Sequence, residues 1–289
     1  AYLVQDCATA VPIFDQVIEI NASEKLVGQA SRLKDECAVL SQVLSAQADD
    51  DATASLMTAQ DYITLYGSSV HAAAIRERNV ALVSAQTPEA LAIPEVCDRF
   101  NEFLSSQLIP PSADLVPPVA YSCGQQYGSN GDYERAIDSY LLVQTQYPEH
   151  DLAPKAEASL ADMMVAQAHA SGAGSLPQPG RSGSAPTGST VVVIQNASPE
   201  PMRIAFSGSE RKIETLDPCL TCQVYVDEPP ATCPELAPEG IYVLDPGVYN
   251  VVVTSSNNRA ISPFIGQWSL HSGNEYNNCF FTVQRSAGS

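Results

Sequence analysis

Eight cysteines and four histidines are the residues of this 289-residue chain best suited to chemistry. Cys7, Cys37, Cys97 and Cys123 precede a Ser/Gly/Pro-rich stretch at 169–190, and Cys219, Cys222, Cys233 and Cys279 follow it. An even number on each side fits disulfides formed within each half, and hence an oxidising compartment. The run Cys219-Leu-Thr-Cys222 has the spacing of a thiol–disulfide oxidoreductase. That motif follows a strand and opens a helix, whereas here Pro218 precedes it and a strand-like run follows. Four thiolates also suit zinc. The irregular spacing and the oxidising compartment favour disulfides.

The histidines offer no catalytic set. His71 and His150 fall in inter-helix turns, His169 at the edge of the Ser/Gly/Pro stretch and His271 on a strand, none of them beside an acid and a nucleophile in sequence. The chain lacks Gly-x-Ser-x-Gly, His-Glu-x-x-His, a P-loop and a dinucleotide fingerprint. Asp49-Asp50-Asp51 lacks the glycine and distal glutamate of a calcium hand, and suits a helix N-cap. The expectation is a non-enzyme, with no catalytic, cofactor-binding or metal-binding residue.

Thirty-three acids against fourteen Lys and Arg give a net charge of −19, which excludes the clustered cations that nucleic acid or an anionic membrane needs. No apolar run is long enough to span a bilayer. Asn21-Ala-Ser23 and Asn196-Ala-Ser198 are glycosylation-type sequons, the second followed by Pro199. Ser175, Ser182, Ser184, Thr187, Ser189 and Thr190 sit in a composition like that of an O-glycosylated stalk. Cysteine usage and these candidates together point to a secreted or cell-surface protein.

The elements around these residues divide sharply. Residues 1–168 show helical spacing, as in Val11, Phe14, Val17 and Ile18, and again in Leu26, Leu33, Cys37 and Leu40. Cys7 and Cys37 are equidistant from a turn near Ala22, and Cys97 and Cys123 from Pro110, so each pair faces across an antiparallel helical hairpin. From 171 to 190, fifteen of twenty residues are Ser, Thr, Gly or Pro, which predicts a mobile linker unless a groove or attached sugars pin it. Beyond it the period becomes two. TVVVIQN, MRIAFSG, RKIETL, CQVYV, GIYVLD, VYNVVVTSS, FIGQWSLH and CFFTVQ read as strands separated by turn residues. About eight strands in roughly a hundred residues imply an immunoglobulin-like β-sandwich over 191–289. Phe264, Trp268 and Leu270 share one face, so the single tryptophan reads as core and not as a sugar platform. The phase of Cys222 and Cys279 favours Cys222–Cys279 with Cys219–Cys233 over the other two pairings.

Residues 120–150 resemble a tetratricopeptide repeat. Gly124 stands at the close helix contact and Tyr127 three residues on; Gly131-Asp132-Tyr133 form the turn, Ala136 and Tyr140 follow, and Pro148 closes the unit. Ala120 and Cys123 stand where the family usually has Trp and Leu. Two less regular copies precede it, at 55–83 and 7–37. In this alignment residues 5–7 fall at an inter-helix turn, so only Ala1, Tyr2, Leu3 and Val4 remain of an opening helix and the stack begins with an uncovered apolar flank. Repeat arrays need polar caps at their ends. Either a partner covers this flank or further residues precede it.

The run LDPGVYNVVV resembles secreted bacterial sandwiches, and the pairing of repeat domain with sandwich resembles subunits of bacterial extracellular fibrils. That resemblance implies a structural homopolymer, glycosylated, in which Ala1–Val4 and the open helical end contact the next copy head to tail. The alternative is a monomeric envelope adaptor that binds a peptide in its helical groove or a glycan on its sandwich.

Overall fold

The computed structural model describes residues 1–21, 23–228, 232–234, 236–258 and 261–284. The chain divides into two compact units, Ala1–Gln126 and Tyr127–Ser289. The first is helical; the second joins two helices to two mixed sheets and a short parallel ladder.

The first unit opens with a single 3-10 turn, Tyr2–Val4, followed by α1 (Cys7–Glu19), α2 (Glu24–Ala48), α3 (Ala52–Tyr66) and α4 (Ala72–Ser84). Short helices α5 (Pro88–Leu91), α6 (Pro94–Asp98) and α7 (Phe100–Ser105) lead to α8 (Val116–Ser129). Local sequence sets the starts. Asp6, Ser23 and Asp51 each accept a hydrogen bond from the backbone N–H three residues on, satisfying a donor that the helix leaves open. Asp51 thus caps a helix, as the acidic triplet suggested. Disulfide Cys7–Cys37 joins α1 to α2 and Cys97–Cys123 joins α6 to α8. Leu40, Leu56, Tyr62, Ile75 and Phe103 of this unit are fully buried. Asn79, also buried, accepts from Ser55 Oγ and donates to the Leu108 carbonyl, so the polar group costs little.

The second unit begins with α9 (Tyr133–Gln146) and α10 (Ala153–Ser171). Its strands are β1 (Gly174–Ser175), β2 (Gly180–Ser184), β3 (Thr190–Asn196), β4 (Met202–Ser207), β5 (Arg211–Leu216), β6 (Tyr225–Val226), β7 (Glu239–Leu244), β8 (Gly247–Ser255), β9 (Phe264–Leu270), β10 (Asn274–Phe280) and β11 (Val283–Gln284). They form a first sheet in the order β1-β9-β8-β4-β5, a second in the order β2-β10-β3-β7, and a small β11-β6 ladder. Ile204, Phe206, Val251, Val253 and Trp268 of the first sheet share one core with Val192, Ile194, Tyr242, Leu244 and Tyr276 of the second. The period-two pattern therefore faces two sheets onto one interior. Trp268 and Leu270 are core, but Phe264, expected beside them, stays 47% exposed at the strand's start.

Three expectations need correction. The helical region does not end as one block at 168. The α9–α10 hairpin belongs to the second unit, because α10 packs across β5, β4, β8 and β9. Nor is 169–190 a free linker. Its first residues finish α10, and 174–184 cross from one sheet to the other, with β1 parallel to β9 and β2 antiparallel to β10. Leu176 enters the core, the Pro177 carbonyl accepts from Trp268 Nε1 at 2.8 Å, and the Gln178 side chain bonds both backbone groups of Ser269. Ladder bonds and one anchoring leucine offset the ordering entropy that composition alone could not. Close approach needs Gly266, where a Cβ would collide with the Leu176 carbonyl. Finally, the second-half cysteines pair as Cys219–Cys222 and Cys233–Cys279, not as Cys222–Cys279 and Cys219–Cys233. Phase says which face a cysteine shares, not which partner reaches it; here the Cys219 turn closes on itself.

Candidate functional site

Among the described residues no group of three or more His, Cys, Asp or Glu is placed to hold a metal ion. The cluster nearest to catalytic composition is one that sequence spacing missed. Glu36 on α2 is 5% exposed and accepts from Tyr62 Oη and Ser69 Oγ at 2.5 Å each. The Tyr2 ring lies against His71 with centroids 4.7 Å apart, and His71 is buried with no partner for Nε2. Burial pushes the Glu36 carboxyl up, but donors from Ser69, Tyr62 and Tyr2, with His71 nearby, hold it below its ordinary range. Ser69 directs its proton to the carboxylate and not to the imidazole, so the set lacks the nucleophile–base bond that acyl transfer requires. It ties the N-terminal turn to α2, α3 and the α3–α4 loop. His150 uses Nδ1 to accept from the Leu152 N–H; His169 and His271 are exposed.

The modification candidates separate by accessibility. Asn21, Ser175, Ser182, Ser184 and Thr187 are exposed, and Ser189 is half-buried. Asn196 is excluded as a sugar acceptor in this fold: it is fully buried, its Nδ2 donates to the Glu200 and Asp217 carbonyls, and its Oδ1 accepts from the Ser198 N–H. Thr190 is likewise buried, with its hydroxyl on the Asn274 carbonyl. Both stand at the ends of β3, where they stitch turns and not solvent.

The assembly candidates Ala1–Val4 do not form an extended arm. They close a 3-10 turn whose Tyr2 packs on Phe14 and His71 of their own unit. Leu3 and Val4 remain 76% exposed, and Val70, next to His71, is 67% exposed. A second apolar patch lies on the outer face of the second sheet. Val191 and Val193 on β3 pair across to Val243 and Ile241 on β7, all pointing away from the core. Ile241 and Val243 are 63% and 61% exposed, and β7 is the sheet's edge strand. The sequence carried a signal for this patch: TVVVIQN and GIYVL are apolar in both phases, the mark of a strand meant to be covered on both faces. The first sheet has the same property and is covered: Ala205 and Val252, opposite its core face, are at most 1% exposed beneath α10. Its edge is blocked too, since Glu157 of α10 accepts from the Ile213 N–H of β5 at 2.9 Å.

No protein-family model, curated protein or solved structure matches this chain.

Proposed function

We propose that the chain is a structural subunit of a secreted extracellular fibril, joined head to tail. The observation that carries this reading is the apolar cluster Val191, Val193, Ile241 and Val243 on the outer face and open edge of the β7 sheet, flanked there by Glu239 and Glu275, in a molecule that covers the equivalent face of its other sheet. Two copies of a chain carrying −19 repel, so contact falls most readily on a cluster of uncharged side chains such as these four. Leu3, Val4 and Val70 provide a second, different apolar patch on the first unit. Contact between unlike patches that does not close into a ring produces a filament. In this reading Leu3 and Val4 act as surface knobs and not as an inserted strand.

Residues 120–150 are read as tetratricopeptide-like, from Gly124, Tyr127, Ala136 and Tyr140, a stretch that begins in the first unit and ends in the second, and the two-sheet body as immunoglobulin-like. Four disulfides support an oxidising, extracellular setting. Sugars, where attached, belong on the exposed Asn21, Ser175, Ser182, Ser184 and Thr187.

Negative-stain images and size-exclusion chromatography of native material test the reading. Rods with a regular repeat, broken into discrete particles by Val243→Lys, are expected. Discrete particles of the 30.8 kDa chain at all concentrations overturn it.

A further inference from the structure

Arg203 lies on β4 in the phase of Ala205, on the face of the first sheet that α10 covers. Its cross-strand neighbours are Thr215 on β5 and Thr254 on β8. The side chain is half-buried, and desolvation pulls its pKa below the usual guanidinium range against an opposing influence from Asp138. Five other arginines are matched, Arg99 with Asp61 and Glu102, Arg135 with Asp132, Arg211 with Asp162, while Arg76 and Arg78 donate to the Ser106 and Gln47 carbonyls; Arg32 and Arg181 are exposed to solvent. Arg203 makes no hydrogen bond and no ion pair among the described residues. A guanidinium has five donors in a planar fork, and withdrawing them from water unmatched is costly.

Arg203 lines a cavity of about 350 Å³ within the second unit. That size suits a small ligand, since such sites run from about 300 to 1,000 Å³. Ile137 and Met164 supply an apolar wall; Gln167 and Thr254 supply groups that both donate and accept. Asp138 and Glu134 also line it, and can only accept when ionised. Among the described lining residues, one cation and two acids disfavour a dianion such as phosphate. They suit a single carboxylate borne on a body rich in hydroxyl donors.

We propose that this cavity binds a hexuronate, a pyranose ring with one carboxylate. The carboxylate takes the Arg203 fork in bidentate fashion. Ring hydroxyls donate to Asp138 and Glu134 and exchange bonds with Gln167 and Thr254. The C–H face of the ring packs on Ile137 and Met164. The inference does not depend on self-assembly, because every residue belongs to the second unit of one chain.

The test titrates the full chain with D-glucuronate, D-glucose, acetate and inorganic phosphate by calorimetry. Glucuronate is expected to bind. Arg203→Gln, checked for native circular dichroism, is expected to weaken it about tenfold or more, the loss of a charge-assisted bond. Asp138→Asn is expected to weaken it less. A measurement free of any variant uses butanedione: glucuronate should slow modification of Arg203, read by peptide mass, while glucose should not. Four results overturn the proposal: no heat with glucuronate, equal binding of glucose, equal protection by acetate or phosphate, or an Arg203→Gln chain that binds glucuronate like the parent.

Discussion

The two sheets of the second unit use similar strands and treat their outer faces in opposite ways. Ala205 and Val252 disappear beneath α10, whereas Val243 and Ile241 stay more than half exposed. The β5 edge has its Ile213 N–H capped by Glu157; the β7 edge has no such device among the described residues. An unprotected strand edge beside an apolar face is a place where another chain can add. The contrast teaches that the same residue pattern, apolar in both phases, is a requirement for a cover and does not say who supplies it.

The largest expected effect concerns how each sheet is held. The first sheet is clamped by a packed helix, and the second by Cys233–Cys279, which closes a separation of 46 residues. In the loop-entropy model a closure of that length stabilises by about 4 kcal/mol, against under 2 kcal/mol for the separation of 3 residues in Cys219–Cys222. Paired alanine variants, compared by urea denaturation, should keep this order. Equal losses would mean that the second sheet gains nothing special from its long closure.

Next comes charge placed on either face. Val252→Lys buries an ammonium beneath α10 and should cost about 3 kcal/mol or more, seen as a lowered urea midpoint. Val243→Lys on the other sheet should change stability by no more than about 0.5 kcal/mol while abolishing association. Similar destabilisation by both would erase the distinction between a covered and a bare face.

A smaller effect is expected from Glu157→Ala, which leaves the Ile213 N–H without its carboxylate. The cost should be about 1.5 kcal/mol, the scale of a hydrogen bond to a charged group. Light scattering should also show new concentration-dependent association through the uncapped β5 edge. Stability lost without association would show that Glu157 braces the helix and does not guard the edge.

The smallest effect separates the helical unit from both sheets. Glu36 is held below its ordinary range, so its contribution to stability is full above that range and is lost as pH falls through the depressed value. Thermal melts should show an acid-side weakening that Glu36→Gln removes. At the alkaline end Tyr242, pushed up to about 12 by burial with Glu214 nearby, keeps its proton longer folded than unfolded. Its contribution therefore declines once the pH exceeds the ordinary tyrosine value.

Much of the architecture was readable because periodicity is local. Helical spacing before 168, alternation after 190 and the equidistant cysteines of two hairpins need only neighbouring residues to be recognised. RKIETL is β5 residue for residue. The misses share a non-local cause. SGAGSLPQPGRSGS looks unstructured, since its order comes from the edges of β9 and β10, strands about ninety residues away. The polar run NEYNNCF forms β10 because it lies between β2 and β3, not because its composition favours a strand. Arg203 in MRIAFS reads as a solvent-facing charge until α9 and α10 are laid over it. Glu36 comes from α2, and Ser69 and His71 from the α3–α4 loop, with Ser69 33 positions beyond Glu36, so no local spacing joins the carboxylate to them.

The sequence by itself determined which residues share a face, where helices give way to strands, and that several strands are apolar on both sides. Tertiary structure alone decided which of those faces is covered, which sequon is buried, how Cys219 and Cys222 close, and that a Ser/Gly/Pro stretch becomes two strands. The physical reason is range. Side-chain direction repeats with the backbone over a few residues, whereas burial and hydrogen-bond completion depend on whatever distant segment arrives on the other side.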